Sequence, residues 1–314
     1  MIEKALVVAR KEILENLKSA RYWGIVAIFI LFYLAAASYA GFAVRGFAGM
    51  ATFTRAAFEL GNQAVTTFQY VAPILGIALG FSAIAAEREK GTIRLVLSRP
   101  IFRDDFINGK VIAAVCLITL ALGVSTAVSL PLAVIVQGIN LTGEDLVRLL
   151  LLLLPATLLA LVYYAMALFV SVLSSRSGQA LVISLVVWIF FTFILPIVAS
   201  LIAFQVLGPP PAFTGRPNAT TPGVPGQEPS PVAQYRTQLN QITSSVQFFS
   251  PNARFSSVAN AIFARQRTSA GSFAYVSIAD ALSRGWLDLT ILAAYTAVFI
   301  ALSYVVFLRR QEVR

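Results

Sequence analysis

Residues 111–136 read VIAAVCLITLALGVSTAVSLPLAVIV, twenty-six positions without one charged side chain. About 20 mostly apolar residues suffice for a helix to cross a bilayer, whereas a core strand rarely needs more than eight. The stretch is therefore a membrane span, and its neighbours extend the pattern. Comparable runs occupy roughly 22–44, 67–86, 149–173, 180–207 and 286–308. The second run is the least apolar at its start, with Thr66, Thr67 and Gln69. The reading is an all-α polytopic membrane protein with six transmembrane helices.

Composition agrees. Of 314 residues 58% are hydrophobic and only 12% charged, against about 25% charged in soluble domains. The net charge of +10 is not gathered into a Lys/Arg run with interleaved aromatics, so no nucleic-acid partner is expected. The chain has no histidine and one cysteine, Cys116. That excludes His/Cys zinc sites, histidine-ligated haem, Cys–His and Ser–His nucleophiles and intrachain disulfides. Cys116 reads as a small apolar residue packed among helices. No catalytic, cofactor-binding or metal-ligating residues are assigned. The spans hold essentially no charge apart from Asp288 near one end, which argues against a proton relay. No GxxxxGK[ST] loop occurs, so energy for any transport must come from another chain.

Charge orients the spans. Lys4, Arg10, Lys11, Lys18 and Arg21, six basic residues in 87–110, and Arg176, Arg309, Arg310 and Arg314 fall on one side. Only Arg45, Arg55 and Arg148 occupy the short loops opposite. The positive-inside rule makes the first side, with both termini, cytoplasmic. The sequons at Asn140 and Asn218 fall on the other side and would be its N-glycosylation acceptors.

Three regions follow. Residues 1–207 hold an N-terminal amphipathic helix and five spans. In that helix Ile2, Leu6, Ala9, Ile13 and Leu17 form a stripe expected to lie in the lipid interface. Residues 208–285 form an extracytoplasmic loop, with a Pro/Gly-rich linker at 208–231 and short helices broken at Ser250-Pro251. Residues 286–314 supply the sixth span and a cytoplasmic tail. Gly76 and Gly80 form a GxxxG that favours close helix contact, and Pro73, Pro131, Pro155 and Pro196 interrupt four spans.

Between spans two and three lies EREKGTIRLVLSRPIFRDDFINGK (87–110), with ten charged residues in twenty-four. Gly91 can end the preceding helix and Thr92 can cap a new one. Ile93, Leu95, Val96 and Leu97 give that helix an apolar surface flanked by Arg94 and Arg99, and Pro100 ends it. Phe102 and Phe106 then interleave with Arg103, Asp104 and Asp105. Apolar anchors rimmed by charge suit docking of a cytosolic partner; a passive interfacial loop is the alternative.

Here the sequence resembles a known family. An N-terminal helix containing ARKE, six spans, and ExExGT-x(4)-LSxPxxR-x(5)-GK look like type-2 ABC transporter permeases. The matching residues are Glu87, Glu89, Gly91, Thr92, Leu97, Ser98, Pro100, Arg103, Gly109 and Lys110. SPNARF at 250–255 is also similar. The subgroup it resembles contains sodium and multidrug exporters and the copper-enzyme maturation permease.

The resemblance implies the permease subunit of an ATP-driven ABC exporter, not itself an enzyme. It would pair with a second permease copy or a relative, and with separate ABC ATPase subunits that bind ATP and Mg. The coupling residues it implies are Glu87, Arg88, Glu89, Gly91, Thr92, Ile93, Arg94, Leu97, Pro100, Phe102, Arg103 and Asp104, with the three at 87–89 pairing with ATPase charges. The long outer loop exceeds what a minimal member needs. A membrane anchor that docks a cytosolic complex without transport remains the alternative.

Overall fold

The computed structural model describes residues 2–46, 53–91, 103–137, 141–209, 211, 231–267 and 273–309. Its helices are α1 (Ile2–Leu17), α2 (Ala20–Gly46), α3 (Phe53–Gly80), α4 (Ala85–Glu89), α5 (Arg103–Gln137) and α6 (Gly143–Leu173). After these come α7 (Ser177–Ile189), a π turn (Phe190–Ile194), α8 (Leu195–Leu207), α9 (Pro231–Val246) and α10 (Pro251–Ile262). A hairpin of β1 (Arg265–Arg267) and β2 (Phe273–Tyr275) precedes α11 (Ile278–Arg309). The hairpin is antiparallel, with Gln266 opposite Ala274.

Among the described residues five helical stretches are long and apolar enough to cross a membrane. The number rises to six when α1 and the start of α2, bent by 65°, are taken together. The 27 residues of α2 reach about 40 Å at 1.5 Å per residue, longer than the roughly 30 Å hydrocarbon core. The protein is thus an all-α polytopic membrane protein.

The chain divides into two compact units, Met1–Trp188 with Arg254–Arg314, and Ile189–Ala253. In the first unit the deepest contact is α3 on α6. A Cβ on Gly76 would sit 2.1 Å from the Ala160 carbonyl oxygen, and one on Gly80 would sit 2.6 Å from that of Tyr164. Glycine lets two backbones meet where lipid offers no hydrophobic drive to bring helices together. Phe29 and Phe68 tie α2 to α3 at 5.3 Å, and Phe106 stacks on Phe307 at 6.0 Å, joining α5 to α11. The Tyr22 hydroxyl donates to the Leu117 carbonyl at 2.9 Å.

Local chemistry sets the helix ends. Thr142 and Asp145 form a reciprocal capping box at the start of α6. At the start of α11 the Ser277 hydroxyl donates to the Asp280 carboxylate and accepts from the Asp280 amide. The π turn comes just before Leu195-Pro196, where proline lacks an N–H and crowds the preceding turn.

Two expectations change. The stripe of α1 does not simply face lipid: Ala5, Val8 and Ala9 are buried, Ile13 and Leu17 pack partly onto the core, and Leu6 and Val7 stay exposed. The reason is Gly109, whose missing side chain lets α5 approach α1 to where a Cβ would meet the Ala5 carbonyl at 2.7 Å. Cys116 faces outward rather than into the bundle.

At the opposite end of this unit Arg148 is fully buried. It donates to the Ile262 and Val276 carbonyls and to Glu144, and its guanidinium lies 4.4 Å from the Tyr275 ring centre. Burial pushes the Tyr275 hydroxyl above its ordinary range. Arg254 pairs with Asp288 at 2.7 Å, which accounts for the one carboxylate within the last span. In the second unit, the Asn252 amide donates to the Thr192 hydroxyl at 3.0 Å, and the Tyr235 hydroxyl to the Gly208 carbonyl at 2.9 Å.

Gly76→Val is expected to lower stability by about 1–3 kcal/mol or more, the usual cost of overpacking. Gly123→Val, with nothing within 4 Å of a Cβ, is expected to be nearly neutral. Thermal unfolding in one detergent checks the pair, and equal shifts would contradict the α3–α6 packing.

Candidate coupling site

The charged stretch begins where α3 stops. The chain turns through 81–84, re-enters a short helix at α4, and leaves it at Gly91 with φ +70°. Such a break strands backbone N–H groups inside the protein, where each needs an acceptor. Ser171 of α6 supplies one: its Oγ accepts from the Ile84 amide at 3.1 Å and the Ala85 amide at 2.9 Å. A side chain 87 positions away thus holds the start of α4 in place.

Successive helical residues point about 100° apart, so Glu87, Arg88 and Glu89 reach different neighbours. Arg88 donates to the Val172 carbonyl at 3.2 Å and to the Ser174 carbonyl. Glu89 accepts from the Ser177 hydroxyl at 2.7 Å and its amide at 3.2 Å. A cation therefore meets the carbonyl end of α6 and an anion the amide end of α7, each matching the helix dipole there. One turn of α4 clasps the junction of two spans.

Glu87 faces the other way. Lys110 of α5 places its Nζ 2.9 Å from Glu87 Oε1 and 2.6 Å from Glu12 Oε1 of α1. The lysine is 3% exposed and each glutamate 16%. The ammonium also lies 4.8 Å from the Phe106 ring centre, and the Tyr164 hydroxyl donates to the Lys110 carbonyl at 3.1 Å. Beside it a cavity of about 20 Å³ is bordered by Glu12, Asn16, Lys110 and Tyr164, room for one water. The Gly109-Lys110 pair acts as a unit: glycine admits α1, and lysine then bonds it.

Asp104 lies in the first turn of α5, within hydrogen-bond reach of Tyr304 on α11, and Arg103 is the first residue of α5. Thr92, Ile93, Arg94, Leu97, Pro100 and Phe102 lie outside the described residues, as do Asn140 and Asn218. Glu87, Arg88 and Glu89 all have partners within the chain. Sequence reasoning missed Glu12, Ser171, Ser174, Ser177 and Tyr164. A signal existed for the serines: SVLSSRSG (171–178) interrupts two spans at the same end of the bundle as 87–110.

A mainly helical, multi-span chain with a charged, internally clasped junction at one end is a polytopic membrane protein. The comparisons make that specific. Residues 6–311 match the model of the ABC-2 family transporter protein, and the chain therefore belongs to the ABC-2 family as a permease-type membrane subunit. It is also 29% identical over 204 residues to the probable ABC transporter permease protein NosY of Stutzerimonas stutzeri. That alignment covers 64% of this chain and 70% of NosY.

Removing one member of a buried ion pair typically costs about 3–5 kcal/mol, because the remaining charge is left without compensation. Lys110→Met is expected to destabilise strongly, and adding Glu12→Gln and Glu87→Gln to recover much of the loss. Chemical unfolding of the variants checks this, and strict additivity would contradict coupling among the three.

Proposed function

We propose that the chain is the permease subunit of an ATP-driven ABC exporter and forms the translocation pathway with a second copy or a related permease. Its energy comes from a separate ABC ATPase that carries ATP and Mg, and the chain itself catalyses nothing. Both termini and residues 87–110 are cytoplasmic, as the distribution of Lys and Arg favours.

One observation carries the coupling role. The segment entering 92–102 is bonded through Glu87 to Lys110 of α5, which in turn holds Glu12 of α1, and to α6 and α7 through Arg88 and Glu89. A push delivered there reaches several spans at once. Glu87, Arg88 and Glu89 serve as its inner tethers. Thr92, Ile93, Arg94, Leu97, Pro100, Phe102, Arg103 and Asp104 form the surface that meets the ATPase, with apolar side chains filling its cleft inside a rim of charge.

Native purification of the tagged chain in mild detergent, with mass spectrometry of what accompanies it, tests this reading. A stoichiometric soluble partner with a P-loop is expected, and its recovery should fall sharply with Ile93→Asp and Leu97→Asp. The chain alone, or a partner without a nucleotide site, would overturn the reading in favour of a non-transporting anchor.

A further inference from the structure

Within the first unit a cavity of about 190 Å³ lies between α3, α6, α7 and α11. Ile77 borders it from α3, Tyr163 and Met166 from α6, Val187 from α7, and Phe299 from α11. Phe169 completes a wall with Phe299, their rings 6.3 Å apart and tilted by 53°. The one hydroxyl on the α7 side, Ser184, donates to its own helix at the Ala180 carbonyl, 2.7 Å away. That proton is committed and the hydroxyl is buried, and the surface the lining presents is almost wholly apolar.

Packed interiors leave few voids larger than a water molecule, and an empty one costs in proportion to its volume. An apolar cavity of about 150 Å³ stays dry and takes up benzene or xenon, and this one is somewhat larger. Its depth suits hydrocarbon. Tyr163 lies ten residues before the end of α6 at Leu173, about 15 Å at 1.5 Å per residue and near the middle of a roughly 30 Å core. Val186 beside Val187 and Val298 beside Phe299 are both exposed, so the void sits directly behind the outer surface of these helices.

We propose that this cavity is a binding site for a hydrocarbon group, an aliphatic chain segment or a small aromatic ring. Its source is either the acyl chain of a bilayer lipid or the apolar part of a molecule in transit; both present the same chemistry to these walls. The site does not depend on the coupling role argued above.

Photolabelling of the full chain in nanodiscs tests the site. One arm uses a phospholipid with a diazirine on its acyl chain, and the other a free diazirine-bearing alkylbenzene in ordinary phosphatidylcholine. Label is expected on 163–169 and on Val187, and a competing unlabelled alkane should saturate it, unlike label on outward Val182 and Val186. Val187→Trp and Ile77→Trp, which fill the void from different helices, should each cut that label by about tenfold. Such a loss corresponds to roughly two buried methylene groups' worth of transfer free energy. Label from the phospholipid assigns the chain to the bilayer, and label from the free probe alone assigns it to a mobile apolar molecule. Label that is absent at these residues, cannot be saturated in the unmodified chain, or persists in folded tryptophan variants would overturn the site.

Discussion

The ammonium of Lys110 is the constraint around which the charged end of the bundle is arranged. A lysine 3% exposed at the start of a span is tolerable only with compensation at hand. Two carboxylates provide it, and they come from two different segments. Glu12 brings α1, and Glu87 brings the end of the second span. The pairing also explains a backbone feature. Glu12 can reach the lysine because α1 lies on Gly109, where a side chain would collide with Ala5 and Val8. Charge and shape are thus set by adjacent residues, one removing an obstacle and the other supplying the bond.

A second constraint is the membrane's intolerance of unpaired backbone groups. The second span loosens into turns at 81–84, and there a serine hydroxyl accepts from the Ile84 and Ala85 amides. Close packing makes that supply dependable. Gly76 and Gly80 hold α3 against α6 at backbone contact, and this places Ser171 opposite the break. Filling either glycine would therefore disturb more than packing, because the acceptor for Ile84 and Ala85 would move with α6.

The spans were legible because a run such as 111–136 admits one reading: length and hydropathy suffice when no side chain is charged. The glycine cap was legible too, since Gly91 adopts the positive φ that ends α4. Contacts across the bundle were not. Glu12 and Lys110 stand 98 positions apart, and nothing local in ARKE chooses that lysine over solvent. The inward turn of α1 was missed for a related reason. A stripe of Leu6, Ala9 and Ile13 suits lipid and protein equally, and a glycine on another helix decides between them. Arg148 shows the limit most clearly. Its i,i+4 partner Glu144 could be read from the sequence, but not the Ile262 and Val276 carbonyls that bury it. Those depend on a hairpin of two three-residue strands, too short for any periodicity to announce.

These bonds also determine what a displacement at 87–91 would carry with it. The α4 turn is joined to α3 through 81–84, where the Phe81 and Ala83 amides bond back to Ile77 and Gly80 and those of Ile84 and Ala85 go to Ser171. Its links to α6 and α7 are a charged side chain on two carbonyls and a carboxylate on an amide and a hydroxyl, and charge-assisted bonds are stronger than neutral ones. Its link to α1 and α5 is a buried ion pair, costly to part because each charge would be left alone in a poor dielectric. The segment is thus fastened to α5, α6 and α7 by side chains as well as to the span it continues. That arrangement follows from which polar groups the chain could satisfy locally, and it gives a charged loop in an apolar protein a physical reason to be where it is.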